Sequence, residues 1–310
     1  MLRAKAPLRI SFGGGGSDVE PYASNHGGLV LNTTIDRYAY CAIGDFSHGE
    51  FEERLKQGIH EELGLADRDY GISVSSDVPT GSGLGGSSAL VVAAVKAVAD
   101  YWEMALSKYE LAEVAFRVER DFLHIKGGRQ DQYAAAFGGF NLIDFQSPAV
   151  VHPMTLTYPV LNELQAGLML VDTRLYRISS NILERQMRRF EQENEEVNAA
   201  VEKMKDLAYD MSQALMLDEV ERLGPLLTEE WEQKKKLDEA ISSPWIDSVF
   251  EGARKAGASG GKLLGAGGGG HLLFFVEPEK RPSVISFLKA TGLEQTVFNF
   301  EQEGAASWKA

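Results

Sequence analysis

The residues with the most chemical content lie in Pro79-Thr80-Gly81-Ser82-Gly83-Leu84-Gly85-Gly86-Ser87-Ser88-Ala89. Glycines let a backbone approach a ligand closely and turn its N–H groups inward. From Ser87 to about Ala105 the chain is apolar almost all round, with Lys96 and Asp100 interrupting its middle, which predicts a buried helix. A helix opening just after the glycines aims its positive dipole end at the same point. That combination suits a polyphosphate, with Ser87 and Ser88 offering hydroxyls to the phosphate or to its metal ion. The plainer alternative, a glycine-rich turn before a helix, leaves two serines at the mouth of a buried helix unexplained. A P-loop fails, because Gly86 is followed by Ser87 rather than lysine. Gly81, Gly83 and Gly86 match the dinucleotide fingerprint literally, but Pro79 and Thr80 separate them from the preceding strand. The acidic residue wanted about 20 positions on falls near Glu103, still in the same helix. A nicotinamide oxidoreductase stays only as an alternative.

Two carboxylates come next. Ser107-Lys108-Tyr109-Glu110 reads as a capping box whose helix should run to Gly127-Gly128. At about 100° per residue from Leu111, the apolar residues Ala112, Ala115, Phe122 and Leu123 fall between about 20° and 120°, and Glu119 falls near 80°. Glu113, Arg117, Arg120, Asp121 and His124 lie on the opposite side. A carboxylate on the buried face needs a partner, either a cation in a core salt bridge or a magnesium ion reaching into the phosphate site. Asp131 follows Gly127-Gly128 and precedes Ala134-Ala135-Ala136, as if space were kept clear around it. There it could accept a hydroxyl proton, or be an ordinary surface-turn aspartate. The six histidines show neither HxxxH nor HExxH spacing, and Ser87 lacks the closing glycine of a GxSxG elbow.

The elements that must position these residues alternate irregularly. Strands are predicted at 8–12, 29–43, 71–76, 139–145, 168–172, 272–276 and near 295–300. Leu183, Met187, Phe190, Val197, Val201, Met204, Ala208 and Met211 recur at steps of four and three, predicting one long helix. Its seam packs within the domain or, as the alternative, against a coiled-coil partner. Further helices are expected at 217–241, 244–256 and 279–290. Such a mixture favours α+β over a doubly wound sheet. Pro148, Pro153 and Pro159 interrupt any regular element near 146–165, which divides the chain into domains 1–155 and 156–310.

Length and charge agree with this reading. At 310 residues, two domains can each bury a core. The net charge of −14 opposes general nucleic-acid binding, and residues 181–240 alone hold 16 acids against 9 bases. Residues 1–18 carry Arg3, Lys5 and Arg9 against Asp18 alone, so an anion is acceptable locally. One cysteine, Cys41, cannot form an internal disulfide, and no stretch approaches a membrane span. The basic start lacks the apolar segment of a signal peptide. A cytoplasmic protein acting on a small molecule, with no nucleic-acid or membrane partner, is expected; a homodimer is left open.

Together these stretches resemble the GHMP kinase superfamily. Pro79–Ala89 is similar to its central phosphate loop, with Gly86 where many members have serine. Lys5-Ala6-Pro7-Leu8-Arg9-Ile10-Ser11-Phe12-Gly13-Gly14 is similar to its first motif, and Lys262-Leu263-Leu264-Gly265-Ala266-Gly267-Gly268-Gly269-Gly270 to its third. The resemblance implies a two-domain α+β fold with ATP in the interdomain cleft. It assigns Pro79, Gly81, Gly83, Leu84, Gly85, Gly86, Ser87 and Ser88 to ATP, and Ser88 and Glu119 to Mg2+. Asp131 takes the place of the catalytic aspartate, and Arg9 that of a residue offsetting charge on the attacking oxygen or the transferred phosphoryl. Gly14-Gly15-Gly16-Ser17-Asp18 stands where galactokinases carry Gly-Glu-His-x-Asp; the resemblance assigns Gly15, Gly16, Ser17 and Asp18 to the acceptor, and the loss of the Glu and His side chains weakens a galactose assignment. Gly267 and Gly268 of the third motif are assigned to substrate. Gly128–Tyr133 and Gly138–Asn141 are similar to the branch that phosphorylates D-glycero-D-manno-heptose 7-phosphate at its anomeric hydroxyl. In that branch Arg174, Arg177 and the helix start at Ser179-Ser180 would suit the 7-phosphate; the alternative is solvent-facing arginines at a helix N-terminus. Kinases for other sugars such as fucose, and catalytically silent sugar-binding relatives, are the other readings the family offers.

Overall fold

A computed structural model describes residues 1–47, 49–66, 70–176 and 180–310. In chain order the strands are β1 (Leu2–Gly13), β2 (Leu29–Gly44), β3 (Gly71–Ser76), β4 (Phe140–Asp144), β5 (Val150–Met154), β6 (Leu168–Asp172), β7 (Gly260–Leu263), β8 (His271–Phe275), β9 (Glu294–Thr296), β10 (Phe300–Glu301) and β11 (Ala306–Lys309). The helices are α1 (Tyr22–His26), α2 (Glu50–Leu63), α3 (Gly86–Tyr101), α4 (Lys108–Arg117), α5 (Gln130–Phe137), α6 (Tyr158–Gly167), α7 (Ser180–Glu191), α8 (Glu195–Met216), α9 (Leu223–Lys236), α10 (Pro244–Ala256) and α11 (Arg281–Ala290).

The fold is α+β. One antiparallel sheet runs β11-β1-β2-β4-β5, with β3 and β10 also paired to the long β2; a second runs β7-β8-β6-β9. Helix α3, apolar except along the side that carries the Lys96–Asp100 ion pair, lies under β1 and β2 in the first core. The C-terminal strands β10 and β11 return to the first sheet after the chain has built the second.

Four expectations are corrected. Residues 146–165 are irregular only at 146–149, around Pro148, and at 155–157. Pro153 sits in β5, an edge strand whose missing amide costs no interior ladder bond, and Pro159 occupies the first turn of α6 behind the Thr157 cap. The single helix over 183–211 is two, because Glu193 adopts φ +48° and the Asn194 side chain accepts a hydrogen bond from Val197 N to begin α8. Its seam stays within the chain: Leu183 to Met204 pack in the second core, Ala208 and Met211 in the first. The helix capped by Ser107 ends before Gly127, passing at Val118 into a π turn that closes at Phe122, with His124 at φ +55°. Near the C-terminus the single strand expected at 295–300 is the two short strands β9 and β10.

Candidate active site

A cavity of about 490 Å³ opens where loops of the first sheet face α7, α9 and β7. Arg9 and Ser11 from β1, Gly15, Gly16 and Asp18 from the following turn, and Pro79 to Ser88 (except Leu84) line it. Glu119, Asp131, Lys234 and Lys262 add charged groups to the polar wall. Most of the residues singled out in sequence therefore meet around one space, although they lie more than 250 positions apart.

The glycine loop is held from two sides. An added Cβ at Gly83 would stand 2.6 Å from the Leu264 carbonyl, so the third glycine run packs directly on the second. The His271 ring reinforces this contact, its Nδ1 lying 2.8 Å from the Ser82 carbonyl oxygen. At Gly85 (φ +74°), which immediately precedes α3, a Cβ would stand 3.3 Å from both Arg9 Cγ and Asp131 Cγ. Glycine there lets the loop close over this pair. Arg9 Nε donates to Asp131 Oδ1 at 2.7 Å and Arg9 Nη1 to the Gly83 carbonyl at 2.6 Å. Asp131 lies in the first turn of α5, where the helix dipole favours a carboxylate. Asp131 borders the open cavity, while Ala134, Ala135 and Ala136 are buried behind it, where their small side chains let α5 pack closely on its neighbours.

Glu119 is buried, as its place in the apolar arc requires. Its Oε1 accepts from Ser88 Oγ at 3.1 Å and its Oε2 from Gln132 Nε2 at 2.5 Å; Arg120 Nη1 stands 3.6 Å away. Burial pushes its pKa up, against the pull of Arg120 and the two hydrogen bonds. Among the described residues no group of three or more His, Cys, Asp or Glu could hold a metal ion. The hydroxyl and carboxylate of Ser88 and Glu119 form a hard oxygen pair that fits Mg2+ where phosphate and water oxygens complete its shell.

Asp18 reaches the wall already engaged. Its Oδ1 accepts from Gly16 N at 3.0 Å, and its Oδ2 from Gln130 N at 2.9 Å, capping α5 across the fold. Ser17 and Leu84 lie behind the wall. Ser17 Oγ donates to the Gly14 carbonyl and accepts from Leu29 N, and the Leu84 carbonyl accepts from Arg9 N. Gly267 and Gly268 are not on the wall either; Gly267 abuts Ile241 and Gly268 N donates to its carbonyl, while Gly265 and Ala266 represent this run in the cavity. Arg174 is exposed and pairs with Glu294 at 3.4 Å, away from the cavity lining. Arg177 and Ser179 lie outside the described residues.

Sequence reasoning missed a buried charge cluster behind the Gly13–Gly16 turn. Lys262 Nζ donates to the Phe12 carbonyl and Glu230 Oε1, Glu230 Oε1 also accepts from Gly14 N, and Lys234 Nζ donates to the Gly15 carbonyl. The signal was present: Glu230 and Lys234 share the α9 stripe of Leu223, Leu227 and Trp231, the same geometry that exposed Glu119. Burial, then Lys262, lowers Lys234 to about 8, with Glu230 and Asp18 opposing. Between about pH 8 and the usual lysine value, the unfolded chain holds the proton that the folded chain has shed. Stability therefore rises through that window and is lost as pH falls through 8. Urea unfolding at pH 7.5 and 9.5 should show wild type gaining about 2 kcal/mol relative to Lys234→Met. Parallel pH curves for the two proteins would contradict this.

Residues 38–139 match the family described as GHMP kinases N terminal domain, and residues 211–293 match GHMP kinases C terminal. Over 338 aligned residues the chain is 34% identical to the D-glycero-alpha-D-manno-heptose 7-phosphate kinase of Campylobacter jejuni, with 99% of each chain covered. The chain belongs to the GHMP kinases. This GHMP kinase also superposes on a crystal structure described as a D-glycero-D-manno-heptose 1-phosphate kinase from Bacteriodes thetaiotaomicron. The TM-score is 0.80 at 32% identity, covering 100% of this chain and 99% of that one. A Lactococcus lactis galactokinase, covered over 95% of its chain by 100% of this one, shares the fold alone, with TM-score 0.72 at 18% identity. Among the described residues of the GHMP kinase, no helix is long and apolar enough to cross a membrane.

Proposed function

We propose that the chain, an ATP-dependent sugar kinase, transfers the γ-phosphoryl of ATP to the anomeric hydroxyl of D-glycero-D-manno-heptose 7-phosphate, giving the 1,7-bisphosphate. The observation that carries this reading is the meeting of Ser88, Glu119, Arg9 and Asp131 around one cavity at the start of α3. The 34% identity to the Campylobacter jejuni kinase over the whole chain supports the acceptor.

In this reading the amides of Gly83 to Ser88 and the positive end of α3 hold the triphosphate. Ser88 and Glu119 hold Mg2+, which when bound neutralises charge on the outer phosphates. Asp131 Oδ1 is occupied by Arg9, leaving Oδ2 to orient the anomeric hydroxyl and take its proton. Arg9, fixed by Asp131 and the Gly83 carbonyl, offsets charge on the attacking oxygen or the moving phosphoryl group. Transfer is direct, without a covalent enzyme intermediate, because positioning and electrostatics supply most of the catalysis. The proposed division at 155/156 puts the site between two domains, with Lys234, Lys262 and Gly265 opposite Arg9, Ser88 and Asp131. A cytoplasmic setting suits the lone Cys41, a buried thiol raised to about 12 by desolvation.

The test is ADP release with a panel containing heptose 7-phosphate, heptose 1-phosphate, fucose, galactose and mevalonate. Heptose 7-phosphate is expected to give the highest kcat/KM, by about 100-fold over the unphosphorylated sugars. A higher value for any other acceptor would replace the proposed substrate.

A further inference from the structure

The cavity wall holds buried polar atoms that have no hydrogen-bond partner among the described residues. Gln186 on α7 is fully buried and lines the cavity, yet among the described residues neither its Oε1 nor its Nε2 has a hydrogen-bond partner. Ser11 Oγ and Gln130 Oε1, on the same cavity wall, are also buried and unpartnered. Ser11 and Gln130 flank Gly15, whose carbonyl accepts from Lys234 Nζ. Helix α7 is clamped to the end of α9 by the two-point Arg185–Asp238 pair, at 2.6 and 2.8 Å, and by Arg189 donating to the Leu237 carbonyl. Gln186 is thus carried on a helix anchored to Leu237 and Asp238, and the Leu237 side chain lies against Gly16.

Its position makes the unpaired amide notable. Gln186 follows Leu183 by three residues and precedes Phe190 by four, on the apolar seam of α7, where an apolar side chain of equal length would pack without penalty. A buried amide without partners destabilises the folded chain, so its presence on a cavity wall calls for a ligand that satisfies it. A carboxamide offers two donors and one acceptor side by side, which complements the vicinal hydroxyls of a polyol.

Resting on the kinase reading above, we infer that Gln186 is a specificity-determining residue that hydrogen-bonds a non-reacting hydroxyl of a polyhydroxylated acceptor. Ser11 and Gln130 read the neighbouring part of the same molecule. The ATP loop at the start of α3 forms a separate part of the wall, so the effect belongs to the acceptor alone.

Gln186→Met, which keeps the length of the side chain, and Gln186→Leu are assayed with whichever acceptor wild type uses best. The expected result is a fall of about 100-fold in acceptor kcat/KM with the KM for ATP changed less than about twofold. The melting temperature should stay level or rise by a few degrees, since an unpaired buried amide is removed. Among deoxy analogues of the acceptor, one should lose a similar factor with wild type and nothing further with Gln186→Met. Unchanged acceptor kcat/KM, equal losses for ATP and acceptor, or unfolding of both variants would each overturn the inference. If wild type prefers a sugar other than the heptose phosphate, the proposed substrate fails while Gln186 is judged on that sugar. A protein that neither turns over nor is thermally stabilised by any polyol overturns both.

Discussion

Asp131→Asn should leave the fold and ATP binding intact and lower turnover about 1,000-fold, the range that a positioned general base supplies. The asparagine keeps the size of the side chain, and its carbonyl oxygen can still accept from Arg9 Nε, now 2.7 Å from the carboxylate. What it loses is an oxygen able to take a proton and the charge that answers Arg9. Because Arg9 also donates to the Gly83 carbonyl, the glycine loop should keep its shape. Steady-state ADP release, ATP titration and a thermal melt together check this. Turnover near the wild-type value would remove Asp131 from the reaction, and a collapse of ATP binding would make it a loop-positioning residue instead.

Glu119→Gln should separate stability from activity. The carboxylate is buried, its charged form disfavoured by desolvation, with Arg120 the nearest cation at 3.6 Å. A neutral amide of the same shape removes that penalty. Its oxygen still accepts from Ser88, and a flip of Gln132, whose Oε1 is unpaired among the described residues, turns an acceptor toward the new amide nitrogen. The variant is therefore expected to melt at or above the wild-type temperature, while turnover falls about 100-fold or more and the Mg2+ needed for half-maximal rate rises. A lower melting temperature with unchanged Mg2+ dependence would assign Glu119 to a core ion pair rather than to the metal.

Several features were legible from short-range pattern because the forces that make them are short-range. The capping box at Ser107 and Glu110 forms as written, both of its hydrogen bonds lying within four residues. Glu119 is buried because a helical arc fixes which side of α4 and its continuation faces the core. Pattern misled where two local signals competed. The seam of 183–211 continues in phase through a break at Glu193, since hydrophobic spacing records which side faces the core and not whether the backbone is continuous. Pro153 and Pro159 look like breakers in sequence, but a sheet edge and a first helical turn accommodate them.

By itself the sequence determined the α+β class, the glycine loop leading into an apolar helix, and the buried acid at 119. These follow from propensity, periodicity and glycine's backbone freedom, which act over a few residues. Tertiary structure alone decided that Arg9 closes on Asp131 across 122 positions, and that Asp18 caps α5. It also decided that Glu230, Lys234 and Lys262 brace the first turn, that Arg174 turns to Glu294, and that Gln186 lines the cavity unpaired among the described residues. A hydrogen bond depends on the positions of two groups to within a fraction of an ångström, and only the packing of whole elements sets those positions.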